Sequence, residues 1–182
     1  MSDERPGWGA ESSLTVTWND PKPALALVQT MSGLQYLRGI AAGELPPPPI
    51  AMLLGMGISS VEDGEVTFTI DPHASHYNPI GVVHGGVLST VLDTVAGCAV
   101  HSTLQAGWGY TSIDLNVSYL RGVTLDSGLL TFTGRVIKRG RRVMFTTAEG
   151  VDAAGNIVAT ATSSLLVMEP PPGEERGVHR RT

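Results

Sequence analysis

The sequence predicts an α+β domain in which one long apolar helix is packed by a curved antiparallel sheet. Three observations predict it. From Gly86 to His101 no residue breaks a helix, and Val87, Leu88, Val91, Leu92, Val95, Cys98 and Ala99 gather on one side at a 3.6-residue period. Two short β-type runs precede that stretch and four follow it, separated by turn-forming residues. At 182 residues with no internal repeat, the chain suffices for one core with additional elements.

In chain order, residues 1–19 are polar, Gly-rich and aperiodic, and read as a mobile leader with Trp8 and Trp18 as candidate anchors onto the body. Asp20 as N-cap and Pro21 as first helical residue open a helix in which Leu27, Met31, Leu34 and Arg38 keep helical spacing up to Gly39. Leu45-Pro46-Pro47-Pro48-Pro49-Ile50 lacks four backbone donors, so an extended, polyproline-like connection is expected to close the 20–49 segment. The main domain spans 50–168. Leu54 to Val61 and Glu65 to Ile70 form a hairpin about Glu62-Asp63-Gly64, with Val66, Phe68 and Ile70 alternating against Glu65, Thr67 and Thr69. Asp71 to Tyr77 is a loop before the long helix. After Gly107-Trp108-Gly109, Tyr110 to Arg121 alternates Ile113, Leu115, Val117 and Tyr119 against Ser112, Asp114, Asn116 and Ser118. Leu129 to Lys138, Val143 to Val151 and Ile157 to Met168 follow in antiparallel succession. From Glu169 the tail EPPPGEERGVHRRT reads as disordered.

Composition excludes several functions. A formal net charge of −5 argues against a nucleic-acid partner. The single Cys98 forms no intrachain disulfide, and on the apolar helix face it reads as a buried, inert thiol. MSDERPGWGAESS lacks a basic stretch followed by an apolar core, so no secretory signal and a cytoplasmic location are expected. Val82 to Val100 is apolar enough to resemble a membrane span, but Asp93 at its middle would cost about 2.5–3.5 kcal/mol on insertion. No basic amphipathic helix suggests a membrane partner. His73-x2-His76 with His84 and Asp93 lacks a compact ligand spacing, so no metal is expected. There is no Gly-x-Ser-x-Gly elbow, and Gly55-x-Gly57 precedes a strand rather than a helix, which disfavours a dinucleotide site.

Chemistry concentrates on the other face of the long helix, which carries Gly86, Ser89, Thr90, Asp93 and Gly97. Aspartate is a poor residue within a helix, and burying its charge unpaired costs several kcal/mol, roughly. A solvated face would carry Lys, Glu or Arg beside it; this face is small and neutral. At the helix start, Gly85 and Gly86 present N–H groups that have no partner within the helix and sit at the positive end of its dipole, with no Cβ in the way. Such groups can hold a developing oxyanion.

Asn78-x5-His84-Gly85-Gly86-x6-Asp93, followed by Gly97 and by Ser112-Ile113-Asp114-Leu115-Asn116, resembles the PaaI-like branch of the hotdog-fold acyl-CoA thioesterases over roughly residues 50–168. The resemblance implies that Asp93 is the catalytic acidic residue, as general base on water or as nucleophile. Gly85 is then the backbone donor to the thioester carbonyl, Asn78 helps to position the thioester and Ser112 holds the attacking water. His84 either braces the turn or touches substrate, and Gly86 adds a substrate contact. No cofactor is implied beyond the coenzyme A of the substrate. Five of the twelve Lys and Arg residues fall between Arg135 and Arg142. Lys138, Arg139, Arg141 and Arg142 there are either a solvated hairpin tip or the contact for CoA phosphates, which guanidinium groups bind bidentately. A hotdog hydratase or dehydratase using His84 with Asp93 as an acid/base pair is one alternative; a non-catalytic acyl-CoA binding module is another. Eight residues of helix separate Gly85 from Asp93 by about 12 Å, too far for both to act on one carbonyl, so a homodimer with shared sites is expected. Hotdog proteins pair in that way, often doubling to tetramers.

Overall fold

The computed structural model describes Gly7 and residues 9–170; residues 1–6, Trp8 and residues 171–182 of the expected tail lie outside the described residues. Trp18 is 61% exposed and anchors nothing.

The expected N-terminal helix is two helices, α1 at Lys22–Val28 and α2 at Gly33–Ala41. Pro21 rather than Asp20 is the N-cap of α1, and the Asp20 carboxylate accepts the Lys22 N–H at 3.0 Å. The break falls at Ser32, which adopts an extended conformation and forms a capping box with Gln35: its hydroxyl accepts the Gln35 N–H, and the Gln35 side chain accepts the Ser32 N–H. Capping residues stop one helix and start the next, whatever the apolar period across them. The proline run also departs from a purely extended path. Pro49 opens a third helix, α3 at Pro49–Leu54, because a proline at the first helical position gives up an N–H the helix does not need. Gly55 ends α3 in the left-handed region at φ 66, so Leu54 is helical and the hairpin starts at Met56.

The hairpin strands are β1 at Met56–Glu62 and β2 at Glu65–Ile70; the long helix is α4 at Gly85–His101; then come β3 at Gly109–Tyr119, β4 at Leu130–Arg139, β5 at Val143–Val151 and β6 at Ile157–Met168. They form one six-stranded antiparallel sheet in the order β1-β2-β4-β5-β6-β3. The expected simple succession therefore holds for β4, β5 and β6 only. Strand β3 crosses to the far edge and pairs with β6, from Gly109 opposite Met168 to Tyr119 opposite Ala159.

Helix α4 lies across β2 to β6. Its Leu88, Val91, Leu92 and Val95 pack with Val66, Phe68, Ile70, Leu130, Phe132 and Val158 in the principal core. Each large side chain there contributes roughly 1.5–3 kcal/mol on burial. Strand β4 comes close enough to α4 at Gly134 that a Cβ would stand 2.2 Å from the Val95 carbonyl oxygen. Helix α2 docks on the other end of α4: the Gly33 N–H donates to the Leu104 carbonyl, and a Cβ on Gly33 would collide with the backbone of His101. Among the described residues no helix is long and apolar enough to cross a membrane.

Candidate active site

The site is built on two stretches of α4 and on the edge strand β3. At the helix start His84 is the N-cap, extended at φ −61 and ψ 133, and its Nδ1 accepts the Gly86 N–H at 2.9 Å. Of the two roles open to His84, bracing the turn is the one this hydrogen bond performs. It also occupies the Gly86 N–H, whereas the Gly85 N–H meets no protein acceptor among the described residues. Asn78 shapes the preceding loop, its side-chain oxygen accepting the N–H groups of Ile80 at 3.1 Å and Val82 at 3.3 Å. Val83 N–H to Val123 O and His84 N–H to His76 O then fasten the approach to α4.

Tyr119, at the end of β3, lies over Gly85. A Cβ on that glycine would stand 2.9 Å from the ring, and the tyrosine hydroxyl donates to the Gly85 carbonyl at 3.1 Å while sharing a second hydrogen bond with Ser89. The sequence pattern placed Tyr119 on a strand but carried no sign of this contact.

Asp93 is half-buried in the middle of α4. Ser112 donates its hydroxyl to Asp93 Oδ1 at 2.7 Å, which joins two of the expected site residues directly. Among the described residues no cation pairs with Asp93. Gly97, one turn on, is buried rather than open: the Tyr110 ring covers it, so closely that a Cβ would stand 2.7 Å from the ring. Burial, and secondarily the charge of Asp93, pushes the Cys98 thiol up to about 12, so this partly buried sulfur stays protonated and is no nucleophile. Burial first, and then the neighbouring Cys98, Asp93 and Tyr36, raise the Tyr110 phenol well above its usual range.

A β-bulge places Ser112. The pairing of β3 with β6 shifts register between Ser112 and Asp114, leaving Ile113 exposed. Strict alternation would put Ser112 on the face opposite Leu115, Val117 and Tyr119. The extra residue rephases the strand, so Tyr110 and Ser112 before it and Leu115, Val117 and Tyr119 after it all meet α4 or the core. Asp114 holds the irregularity: its side chain accepts the Ser164 N–H at 3.0 Å, and its carbonyl accepts the Ser163 hydroxyl at 2.6 Å.

The basic cluster separates into two groups. Arg135 pairs with Glu65 at 2.7 Å and Arg139 with Asp63 at 2.9 Å, both exposed pairs that tie β4 to the hairpin. Lys138 lies 5.9 Å from the Phe145 ring centre, and neither it nor Arg141 or Arg142 is in an ion pair among the described residues. His73 and His76 bond locally: the His73 N–H donates to His76 Nδ1, and His73 Nδ1 meets the Ser75 hydroxyl.

A long helix laid across a six-stranded antiparallel sheet is the hotdog fold. The family model described as the thioesterase superfamily matches residues 80–159. The chain is 34% identical to a crystal structure from Ralstonia eutropha, described as a candidate thioesterase and phenylacetic acid degradation-related protein, with 72% of this chain and 98% of that one covered at a TM-score of 0.66. It is 29% identical over 101 residues to human acyl-coenzyme A thioesterase 13, covering 55% of this chain and 71% of that protein. A hypothetical thioesterase from Streptococcus pneumoniae, crystallised with coenzyme A, is 26% identical, covering 64% of this chain and 91% of that one at a TM-score of 0.58. The chain belongs to the thioesterase superfamily, and it is a thioesterase.

Proposed function

We propose that this enzyme hydrolyses acyl-CoA: RCO–S–CoA and water give RCOOH and CoA–SH. The observation that carries the reading is the Ser112–Asp93 hydrogen bond on an otherwise small and neutral face of α4. Asp93 acts as general base on water or as nucleophile, and Ser112 orients its carboxylate and the attacking water. The Gly85 N–H, at the positive end of α4, receives the negative charge that develops on the thioester oxygen. Asn78 and His84 keep that donor in place through the loop and the N-cap. The relative crystallised with coenzyme A supports the CoA ester as substrate. Lys138, Arg141 and Arg142 are the cations left to meet its phosphates, with Arg139 joining them if it leaves Asp63, since an exposed pair contributes only about 0–1 kcal/mol.

The site is completed by a second copy. Gly85 and Asp93 on one helix stand about 12 Å apart, whereas an oxyanion donor and a base must both lie within about 3 Å of the reacting atoms. A second α4 running antiparallel brings its Asp93 to the first copy's Gly85, and two-fold symmetry makes two equal sites. The position of β3 supports this reading. Among the described residues it is an edge strand with β6 as its one neighbour, and it exposes Ile113 and Tyr119.

The test is thiol release from acyl-CoA esters of short, medium, long and aryl chains. Replacing Asp93 by Asn is expected to lower kcat by about 10² to 10⁴. Full activity in a folded Asp93→Asn variant, or inactivity of the parent on every ester, would sink this reading.

A further inference from the structure

A cavity of about 560 Å³ lies between α2, α3, β1 and the C-terminal half of α4. Leu37 and Ile40 of α2, Met56 and Ile58 of β1, and Thr94 and Cys98 of α4 form its sides. We propose that this cavity receives the acyl group, that α2 and α3 are its outer wall, and that it selects a medium- or long-chain aliphatic acyl group whose length is limited at Ile40. The proposal rests on the acyl-CoA reading above and adds to it the class of acyl group.

Three features support that occupant. The first is position. Thr94 follows Asp93 on α4, and Tyr110, another lining residue, covers Gly97 one turn beyond Asp93 and precedes Ser112 by two residues. The cavity thus begins beside the carboxylate that serves as general base or nucleophile.

The second is chemistry. Among the described residues no Asp, Glu, Lys or Arg lines the cavity. The Thr94 hydroxyl donates to the Thr90 carbonyl at 2.7 Å, so it is already satisfied by its own helix. Part of the wall is aromatic, with His101 between Tyr36 at 5.8 Å and Tyr110 at 5.5 Å, ring centre to ring centre. Burial favours the neutral form of His101. A terminal carboxylate would find no counter-charge there.

The third is size. Pockets of roughly 300–1,000 Å³ hold whole drug-sized ligands. Here the acyl group has up to about 560 Å³, since a wall with no Lys or Arg offers nothing to the phosphates of coenzyme A. A two-carbon acyl group would leave most of that apolar surface uncovered. Each further methylene buried strengthens binding by about fourfold. Elements α2, α3 and β1 of this wall all precede the residues 80–159 matched by the family model.

The experiment measures kcat/KM for acetyl-, butyryl-, octanoyl-, dodecanoyl-, palmitoyl- and phenylacetyl-CoA in the full chain and in two variants. The parent is expected to prefer octanoyl or longer chains. Ile40→Trp should lower the dodecanoyl-to-butyryl ratio by at least about tenfold, and Ile40→Ala should raise the palmitoyl-to-octanoyl ratio, a gain that a merely destabilised protein would not show. Circular dichroism checks that each variant is folded; if Ile40→Trp is not, the Ile40→Ala ratio decides. A preference for acetyl-, butyryl- or phenylacetyl-CoA, or chain-length ratios unmoved by folded variants, overturns the proposal while leaving thioester hydrolysis intact. If the parent cleaves none of the esters, the acyl-CoA reading fails instead, and calorimetry with dodecanoate decides the pocket. Binding weakened at least tenfold by Ile40→Trp, or tightened by Ile40→Ala, supports the pocket; absent or unaffected binding overturns it.

Discussion

The Ser112 hydroxyl has one visible task, donation to Asp93 at 2.7 Å. Ser112→Ala removes one charge-assisted hydrogen bond and leaves the carboxylate in place, so its effect should be milder than that of Asp93→Asn. A fall in kcat of about 10- to 150-fold is expected, from the roughly 1.5–3 kcal/mol that a hydrogen bond to a charged group contributes. Steady-state assays of the two variants on one ester check the ranking. His101 makes a different prediction. Burial lowers its pKa below the ordinary 6.5, and His76 is lowered by burial and by the neighbouring His73. The unfolded chain therefore binds these protons more readily than the folded one. The stability that depends on keeping them neutral is fully present above about pH 6.5 and is lost as the pH falls through the lower, folded values. Thermal melts at pH 7.5, 6.5 and 5.5 should show a falling Tm, with a shallower fall in His101→Phe. Equal slopes in the two proteins would contradict the assignment to His101.

At the scale of the element, strand β3 and helix α4 act as a pair whose alignment depends on one bulge. Asp114 stabilises it by accepting the Ser164 N–H, a backbone donor displaced by the shift in register. Asp114→Ala removes that acceptor and should let Ser112 move away from Asp93. A displacement of about 1 Å at a catalytic group can cost up to 10²-fold, so a loss of roughly tenfold or more in kcat is expected with little change in KM. Asp114→Asn keeps an oxygen at the same place and should recover most of the activity. If Ala and Asn behave alike, the bulge is held by something other than this hydrogen bond. The capping box of Ser32 and Gln35 has a parallel role at α2, since it fixes where the helix starts and so where Ile40 meets the cavity.

For the whole molecule, the distance along α4 demands an assembly. Asp93→Asn chains mixed with Gly85→Pro chains after mild dissociation should regain up to about half the parent activity per mixed dimer, because each such dimer keeps one intact site. Proline suits this experiment because it is tolerated at the first helical position and lacks the N–H in question. Its ring would displace the exposed Tyr119 rather than the core. Mixed dimers shown to be folded and yet inactive, or a fully active monomer in sedimentation, would refute the shared site.

The sequence by itself determined the long helix, the hairpin and the strand positions, because periods of 3.6 and 2 are written directly into the apolar residues. It also marked Asp93 and the glycine start of α4, since a carboxylate among small neutral residues and a Gly pair at a helix start are local anomalies. Local competition misled it at the N-terminal side, where a capping serine divided one apolar period into two helices and a proline began a helix instead of preventing one. Tertiary structure alone decided the rest. The crossing of β3 to the far edge follows from which strands can cover α4, a matter of contacts between residues far apart in the chain. The bulge at Ile113 reverses an alternation that the sequence displays plainly, because Ser112 and Tyr119 must both reach α4 from one strand. The apolar cavity exists only where α2, α3, β1 and α4 meet, and no single stretch of sequence records a surface assembled from four.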